Sequence, residues 1–188
     1  DARSWVFDLQ ALLDRVEAAE KRKDAQLFRE LEISLPRELS LEDQKALVRS
    51  FVARECVPHG MAAIVAIHNE RASDGGENPH AHILLTMRPL RPEGFGPKNR
   101  DWNSRNLVRD WREAWAAHAN ELLAQRGFAR RLDHRSFKDR EIEVEPDRYV
   151  GPGTGRDIDG VIIDQRRLDR AAAQEWNRTR AADPAWVL

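Results

Sequence analysis

The chain has 188 residues, of which 41% are hydrophobic and 34% are charged, and its formal net charge is −1. This is enough apolar material for one domain, but no apolar run is long enough to cross a membrane and no signal-peptide pattern opens the chain. The single cysteine, Cys56, excludes an internal disulfide, so we expect a cytoplasmic protein without membrane insertion.

The first third of the chain predicts a helix, a strand and a second helix. Apolar residues at helical spacing predict a helix over 4–25. Apolar and polar residues then alternate over 27–35, which is typical of a half-buried strand. Ser40 has the side chain of a helix N-cap and predicts a helix over 41–55.

A β-hairpin is predicted next. Short apolar runs over 61–68 and 80–87 are separated by a segment, 72–79, that contains Asp, Asn, Pro and two Gly residues. Such a segment is typical of a turn. The two runs would therefore pair as antiparallel strands.

The remainder predicts a loop, a long helix and a short strand. Residues 89–101 are rich in Pro and Gly, and Asn103 or Ser104 then caps a helix that ends at Gly127. A strand is expected over 128–132. This order of elements suits an α+β fold, an antiparallel β-sheet flanked by helices in a two-layer sandwich.

Three histidines carry the clearest chemical signal. His80 and His82 are separated by one residue, so their side chains point to the same face of the predicted strand. His68 ends the other arm of the hairpin and could join them. Three neutral imidazoles can hold a divalent cation and leave positions open for a substrate. The alternative is a pair of exposed strand histidines without function.

Two carboxylates share one face of the strand over 27–35. Glu30 and Glu32 could accept the second N–H of metal-binding imidazoles and fix their orientation. Taken singly, each could equally be a solvent-exposed residue. His118 lies among the apolar residues of the long helix, and we expect it to be packed rather than functional.

The charge distribution is less neutral than its sum. From Arg88 to Arg140 there are 13 Lys and Arg residues against 7 Asp and Glu, interleaved with Trp and Phe side chains. A basic, aromatic-containing region beside a metal site could hold a polyanion. On charge alone, the alternative is an arginine-rich helix face in contact with solvent.

At these residues the chain resembles the MobA/MobL family of plasmid mobilisation relaxases, to which the TraA relaxases belong. The resemblance keeps the family's order of motifs over roughly 1–155. It rests on the segments AEKRKD (19–24), RELEISLPREL (29–39), AIH (66–68), GENPHAHI (76–83), REAW (112–115) and LDHRS (132–136).

The resemblance implies a relaxase of the HUH endonuclease superfamily, in which a tyrosine hydroxyl nicks one DNA strand at the origin of transfer. The tyrosine becomes joined to the 5′ phosphate and a 3′ hydroxyl is released, and reversal rejoins the ends. The family's metal ligands match His68, His80 and His82, with Mg²⁺ or Mn²⁺ as the expected ion. The family's E-x-E strand matches Glu30 and Glu32.

The attacking tyrosine of the family matches no residue of this chain. It lies near the family's N-terminus, before the segment that matches Asp1, so we expect it upstream together with a first strand of the sheet. The only tyrosine here is Tyr149, which occupies a histidine's place in a P-x-x-H-x-G-P segment. We do not assign Tyr149 as the nucleophile, and we expect the fragment alone to be inactive in nicking because it lacks the attacking tyrosine.

The expected substrate is single-stranded plasmid DNA in a bacterial cytoplasm, with other relaxosome proteins as further partners. Four residues are candidates for DNA contacts: Arg88, His134, Arg135 and Lys138. The relaxase domain is expected over 1–160, followed by a charged C-terminal helix or tail over 161–188. Two rival classes are a rolling-circle replication initiator and a non-catalytic single-stranded DNA-binding module.

Overall fold

The computed structural model describes residues 4–71, 75–144, 171–175 and 178. Its contacts group into two compact units, the first ending at His134 and the second beginning at Arg135. The domain boundary expected at 160 lies outside the described residues. Of the expected C-terminal helix, 171–175 and 178 are described, and they are helical.

Three strands form the sheet of the first unit. They are β1 (Phe28–Ser34), β2 (Ala63–Arg71) and β3 (Glu77–Thr86). The spatial order is β1-β3-β2, and both neighbours run antiparallel to β3. β3 therefore lies at the centre of the sheet and pairs with a strand on each side. Its antiparallel pairing with β2 is the predicted hairpin.

Three helices accompany the sheet: α1 (Leu9–Ala18), α2 (Leu41–Glu55) and α3 (Arg105–Gln125). Each begins after a residue whose side chain accepts a hydrogen bond from a first-turn backbone N–H, namely Asp8, Ser40 and Ser104. The expected α+β architecture is confirmed. Within the described ranges, no helix combines the length and apolar character needed to cross a lipid bilayer.

The first helix is shorter than the sequence predicts. Residues Ser4–Phe7 form a 3-10 helix, and Asp8 interrupts it in extended conformation before α1 begins. The side chain of Asp8 accepts from the backbone N–H of Ala11 at 2.9 Å, which starts α1 at Leu9. Helical periodicity alone does not reveal this interruption, because both pieces keep their apolar residues on one side.

The helices α2 and α3 pack on one face of the sheet and bury the main core. Ile83 and Leu85 of β3 are at most 1% exposed, and they lie in one cluster with Phe51, Trp115 and Leu123. Burying side chains of this size stabilises the fold by about 1.5–3 kcal/mol each. This face therefore anchors the central strand.

The opposite face of the sheet carries polar and apolar residues at different ends. A small cluster around Leu12 and Val16 of α1 packs against Phe28 and Ile64 at one end. The other end, where Ser34 pairs with His80, is left open by α1. The two histidines of β3 lie at this open end.

Two predictions for the connecting segments were wrong. The segment expected as a plain loop contains a two-stranded hairpin, β4 (Leu90–Arg91) with β5 (Gly94–Phe95). The strand expected over 128–132 is absent, and these described residues have no regular structure. The side chain of Asn120 binds both the N–H and the C=O of Leu132, at 2.7 and 2.8 Å, as a neighbouring strand would.

Candidate metal centre

The three histidines singled out by the sequence meet on the open face of the sheet. His80 and His82 lie two residues apart on β3, and His68 of β2 stands directly opposite His80 in the antiparallel register. Each ring offers a nitrogen that lies within 4.8 Å of those of the other two. The ring centroids are 5.0 to 5.5 Å apart.

Hydrogen bonds fix the orientation of two of the rings. Nδ1 of His80 lies 2.8 Å from the backbone oxygen of Asn78, and Nδ1 of His82 lies 2.6 Å from Oε1 of Glu30. A carbonyl or carboxylate oxygen can only accept, so both Nδ1 atoms donate. The neutral rings then keep the lone pair of Nε2 for another partner.

The donor set fits a divalent cation. Imidazole nitrogens with their second N–H held by an oxygen are the usual ligands of first-row transition ions. Hard ions such as Mg²⁺ prefer oxygen ligands. The three residues present could therefore hold Mn²⁺ more readily than Mg²⁺.

Burial decreases across the triad. His80 is 7% exposed, the side chain of His82 is 29% exposed, and His68 is exposed on β2. One side of the group is thus supported by protein, while the other faces solvent. This geometry would leave room for a substrate beside the ring nitrogens.

The two carboxylates of β1 stand in different relations to the triad. Glu32 is the residue directly across from His82. His82 nevertheless donates its hydrogen bond to Glu30, the next residue of β1 on the same face. The side chain of Glu32 is exposed and has no hydrogen bond or ion pair among the described residues. Among the described residues, the carboxylate hydrogen-bonded to an imidazole of the triad is therefore that of Glu30 and not that of Glu32.

The proposed DNA-contacting residues lie elsewhere. Arg88 donates to the carboxylate of Glu20 and to the backbone oxygen of Gly96, and its side chain is 23% exposed. His134 is partly buried and makes no ring contact or hydrogen bond with the triad in the described part of the chain. Arg135 and Lys138 are exposed residues of the second unit.

His118 is packed, as the sequence predicts. Its ring lies 5.8 Å from that of Phe51, edge to face, and its Nε2 lies 3.2 Å from Oε1 of Glu55. These contacts tie α3 to α2 inside the main core. The residue that sequence reasoning missed at the metal centre is Asn78, whose backbone orients His80.

An antiparallel sheet with α2 and α3 on one face and three convergent histidines on the other defines a candidate three-histidine metal-binding domain. The MobA/MobL family model matches residues 1–157. The chain therefore belongs to the MobA/MobL family.

Curated relatives agree with this assignment. The chain is 35% identical over 184 residues to "Conjugal transfer protein TraA" of Agrobacterium fabrum, with 81% of the chain and 16% of the relative covered. It is 38% identical over 167 residues to "Mobilization protein MobL" of Acidithiobacillus ferridurans, covering 73% and 44%. "Mobilization protein A" of Escherichia coli is 33% identical over 150 residues, covering 70% and 21%.

A solved structure is also similar. It is described as "Molecular Basis of Vancomycin Resistance Transfer in Staphylococcus aureus" and shares 32% identity at a TM-score of 0.59, with 66% of each chain covered. The chain spans less than half the length of the curated relatives cited above. Identity at this level supports the same fold for the sheet and helices.

Proposed function

We propose that this chain is the DNA-processing domain of a plasmid-transfer relaxase, which nicks and rejoins single-stranded DNA at an origin of transfer. The observation that carries the proposal is the convergence of His68, His80 and His82 on the open face of the sheet. Membership of the MobA/MobL family and relatives named as transfer and mobilisation proteins support it.

The residues of the chain prepare this site before any ligand arrives. Asn78 and Glu30 hold the Nδ1–H groups of His80 and His82, so that both Nε2 atoms are available on the open face. A ring held in place loses less side-chain entropy when it binds an ion. Glu32 is proposed to support the site from the solvent side, where its exposed carboxylate adds negative charge.

The ion proposed for the site is Mn²⁺ or Mg²⁺, and the all-imidazole donor set favours Mn²⁺. When bound, such a cation polarises a phosphodiester oxygen and stabilises the negative charge that develops during displacement. The role proposed for the protein's own residues is to hold the scissile phosphate beside the three histidines in a single orientation.

The attacking group is proposed to be a tyrosine encoded before Asp1. Its hydroxyl oxygen forms a bond to the phosphorus, the bond from phosphorus to the 3′ oxygen breaks, and the tyrosine proton is passed on so that a 3′ hydroxyl results. Tyr149 lies outside the described residues. The contacts of Arg88, His134, Arg135 and Lys138 with DNA remain proposals, as do further relaxosome partners.

The test is a nicking assay on a single-stranded oligonucleotide that carries the cognate origin of transfer. A protein extended upstream of Asp1 should, with Mn²⁺, release a free 3′ hydroxyl and form a covalent adduct with the 5′ phosphate. Chelation of the ion should stop the reaction. The proposal is wrong if the extended protein binds the oligonucleotide without cleaving it, or if it cleaves a replication origin instead.

A further inference from the structure

A basic cleft lies at the end of the sheet where β1 begins. Its volume is about 590 Å³, and its lining includes Lys21, Arg22, Arg88, Lys98 and Arg100. Against these five cations stand two carboxylates, Glu20 and Asp24, which leaves an excess of three positive charges. We propose that this basic cleft binds backbone phosphates of the DNA strand whose scissile phosphate sits at the histidines, an inference that rests on the proposed function.

At the floor of the basic cleft, two cations share one carboxylate. Arg88 Nε donates to Oε1 of Glu20 at 2.9 Å, and Nζ of Lys98 lies 2.9 Å from the same oxygen. Lys98 also donates to the backbone oxygen of Gln26 at 2.6 Å. The side chain of Glu20 is 10% exposed, and its negative charge interacts with these two cations rather than with solvent.

The rim of the basic cleft keeps its positive charge. Lys21 and Arg100 are exposed and have no ion pair or side-chain hydrogen bond among the described residues. Arg22 pairs with Asp24 at 2.5 Å, but both side chains are more than two-thirds exposed. An exposed pair of this kind contributes little stability, so a phosphate could replace the carboxylate at little cost.

Apart from Ala25, every residue that lines the cleft has a charged or amide side chain, which favours an ionic ligand. Asn103 and Gln26, both lining residues, bind each other through their side-chain amides at 2.8 Å. A concave surface with excess cations concentrates positive potential and attracts polyanions. Phosphate groups are the anions that such lysine and arginine side chains hold best.

The position of the cleft relative to the histidines suits one continuous strand of DNA. β1 starts next to the cleft at Phe28 and reaches the histidines at Glu32, which faces His82. Four residues of extended chain span about 13 Å. A single strand of DNA held at the triad would reach over this distance with its next few phosphates.

The same face of the sheet leads from one site to the other. Phe28, Glu30 and Glu32 alternate onto the face that carries His82, and α1, which packs on this face, leads at its C-terminal end into Glu20. The histidines and the cleft therefore lie toward opposite ends of β1. Free inorganic phosphate carries the same kind of charged oxygens as the DNA backbone, so the experiment must distinguish binding of DNA from binding of phosphate.

The experiment measures binding of a labelled single-stranded oligonucleotide to this chain by fluorescence anisotropy over a series of salt concentrations. The test variant combines Lys21→Ala with Arg100→Ala. The control combines Arg49→Ala with Arg112→Ala, which removes the same charge from exposed positions of α2 and α3 on the other side of the sheet. Circular dichroism checks that both variants fold.

The test variant should bind about tenfold more weakly at physiological salt, and its salt dependence should fall by about 0.7 in logarithmic slope for each lost phosphate contact. The control should match the unaltered chain. If the unaltered chain binds and the two variants behave alike, the basic cleft is not a DNA site and the proposed function stands. If the unaltered chain binds no oligonucleotide, both proposals are wrong.

A second titration uses inorganic phosphate alone. Weak binding that competes with the oligonucleotide is expected for a site built for backbone phosphates. The proposal would be overturned if the unaltered chain binds one phosphate tightly and the combined Lys21→Ala and Arg100→Ala variant loses that binding but keeps its affinity for the oligonucleotide. Such a result would identify a site for a free anion.

Discussion

Oε1 of Glu30 lies 2.6 Å from Nδ1 of His82, although the residue directly across from His82 is Glu32. The contact is diagonal along the face of β1. It gives the two carboxylates of one strand unequal parts at the metal centre, and the inequality can be measured.

Glu30→Gln should lower the affinity for Mn²⁺ by about 10- to 100-fold, because the amide is a weaker acceptor than the carboxylate and holds His82 less firmly. Isothermal titration calorimetry with Mn²⁺ measures the change. Glu32→Gln is the matched control and should have a smaller effect, since among the described residues the hydrogen bond of His82 goes to Glu30 and not to Glu32. Equal losses in the two variants would contradict the assignment.

Replacing His80 or His82 with alanine should reduce Mn²⁺ affinity by more than about 100-fold, because a three-ligand site cannot keep an ion with one ligand removed. His59→Ala is the control, since His59 is exposed and lies in a 3-10 helix away from the triad. In an N-terminally extended protein the same triad variants should abolish nicking. Unchanged calorimetric titrations would show that the histidines do not form the metal centre.

Glu20→Gln should lower the free energy of unfolding by about 1.5–3 kcal/mol at neutral pH, the usual cost of losing hydrogen bonds to a charged group. The reason is that Arg88 and Lys98 both bind this largely buried carboxylate. Urea denaturation followed by tryptophan fluorescence measures the difference. Asp24→Asn serves as the control, because its pair with Arg22 is exposed to solvent and should contribute little to stability.

The difference in the free energy of unfolding between the unaltered chain and Glu20→Gln should depend on pH in one direction. The hydrogen bond from Arg88 lowers the pKa of Glu20 below its ordinary value of 4.5. A lowered pKa means that the stabilisation is fully present above pH 4.5 and is lost as the pH falls through the pKa of the folded state. Unfolding curves of the two proteins should therefore converge under acid conditions, and a gap that widens there would contradict the role of Arg88.

Tyr149→Phe in an N-terminally extended protein should leave nicking and the covalent DNA adduct intact. The expectation follows from the family pattern, in which Tyr149 takes a histidine's place and the nucleophile lies upstream. Gel analysis with a 3′-labelled oligonucleotide measures the outcome, because the fragment joined to the protein through its 5′ phosphate keeps the 3′ label. Loss of the adduct would make Tyr149 the attacking residue.

Sequence patterns predicted the sheet and the triad because both depend on local rules. Alternation predicted His80 and His82 on one face, and the expected antiparallel pairing of the two apolar runs predicted His68 beside them, as the register shows. Those rules hold for any antiparallel hairpin. The prediction of an α+β fold followed from the same elements.

The missed features depend on contacts between distant residues. Arg88 meets Glu20 across 68 positions of the chain, and no periodicity reveals such a pair. The strand expected over 128–132 failed for a related reason, since the side chain of Asn120 satisfies the backbone of Leu132 in place of a strand. The choice of Glu30 over Glu32 depends on side-chain direction, which strand alternation does not resolve.

The central strand also sets a condition on how this protein can change. His80 and His82 alternate along β3 with Ala81 and Ile83, both of which are fully buried. Adding or deleting one residue there would turn imidazoles into the apolar core and Ile83 out to water. Length changes inside β3 are therefore expected to be tolerated only in pairs of residues, because the alternation that keeps the imidazoles on one face also keeps the apolar side chains in the core.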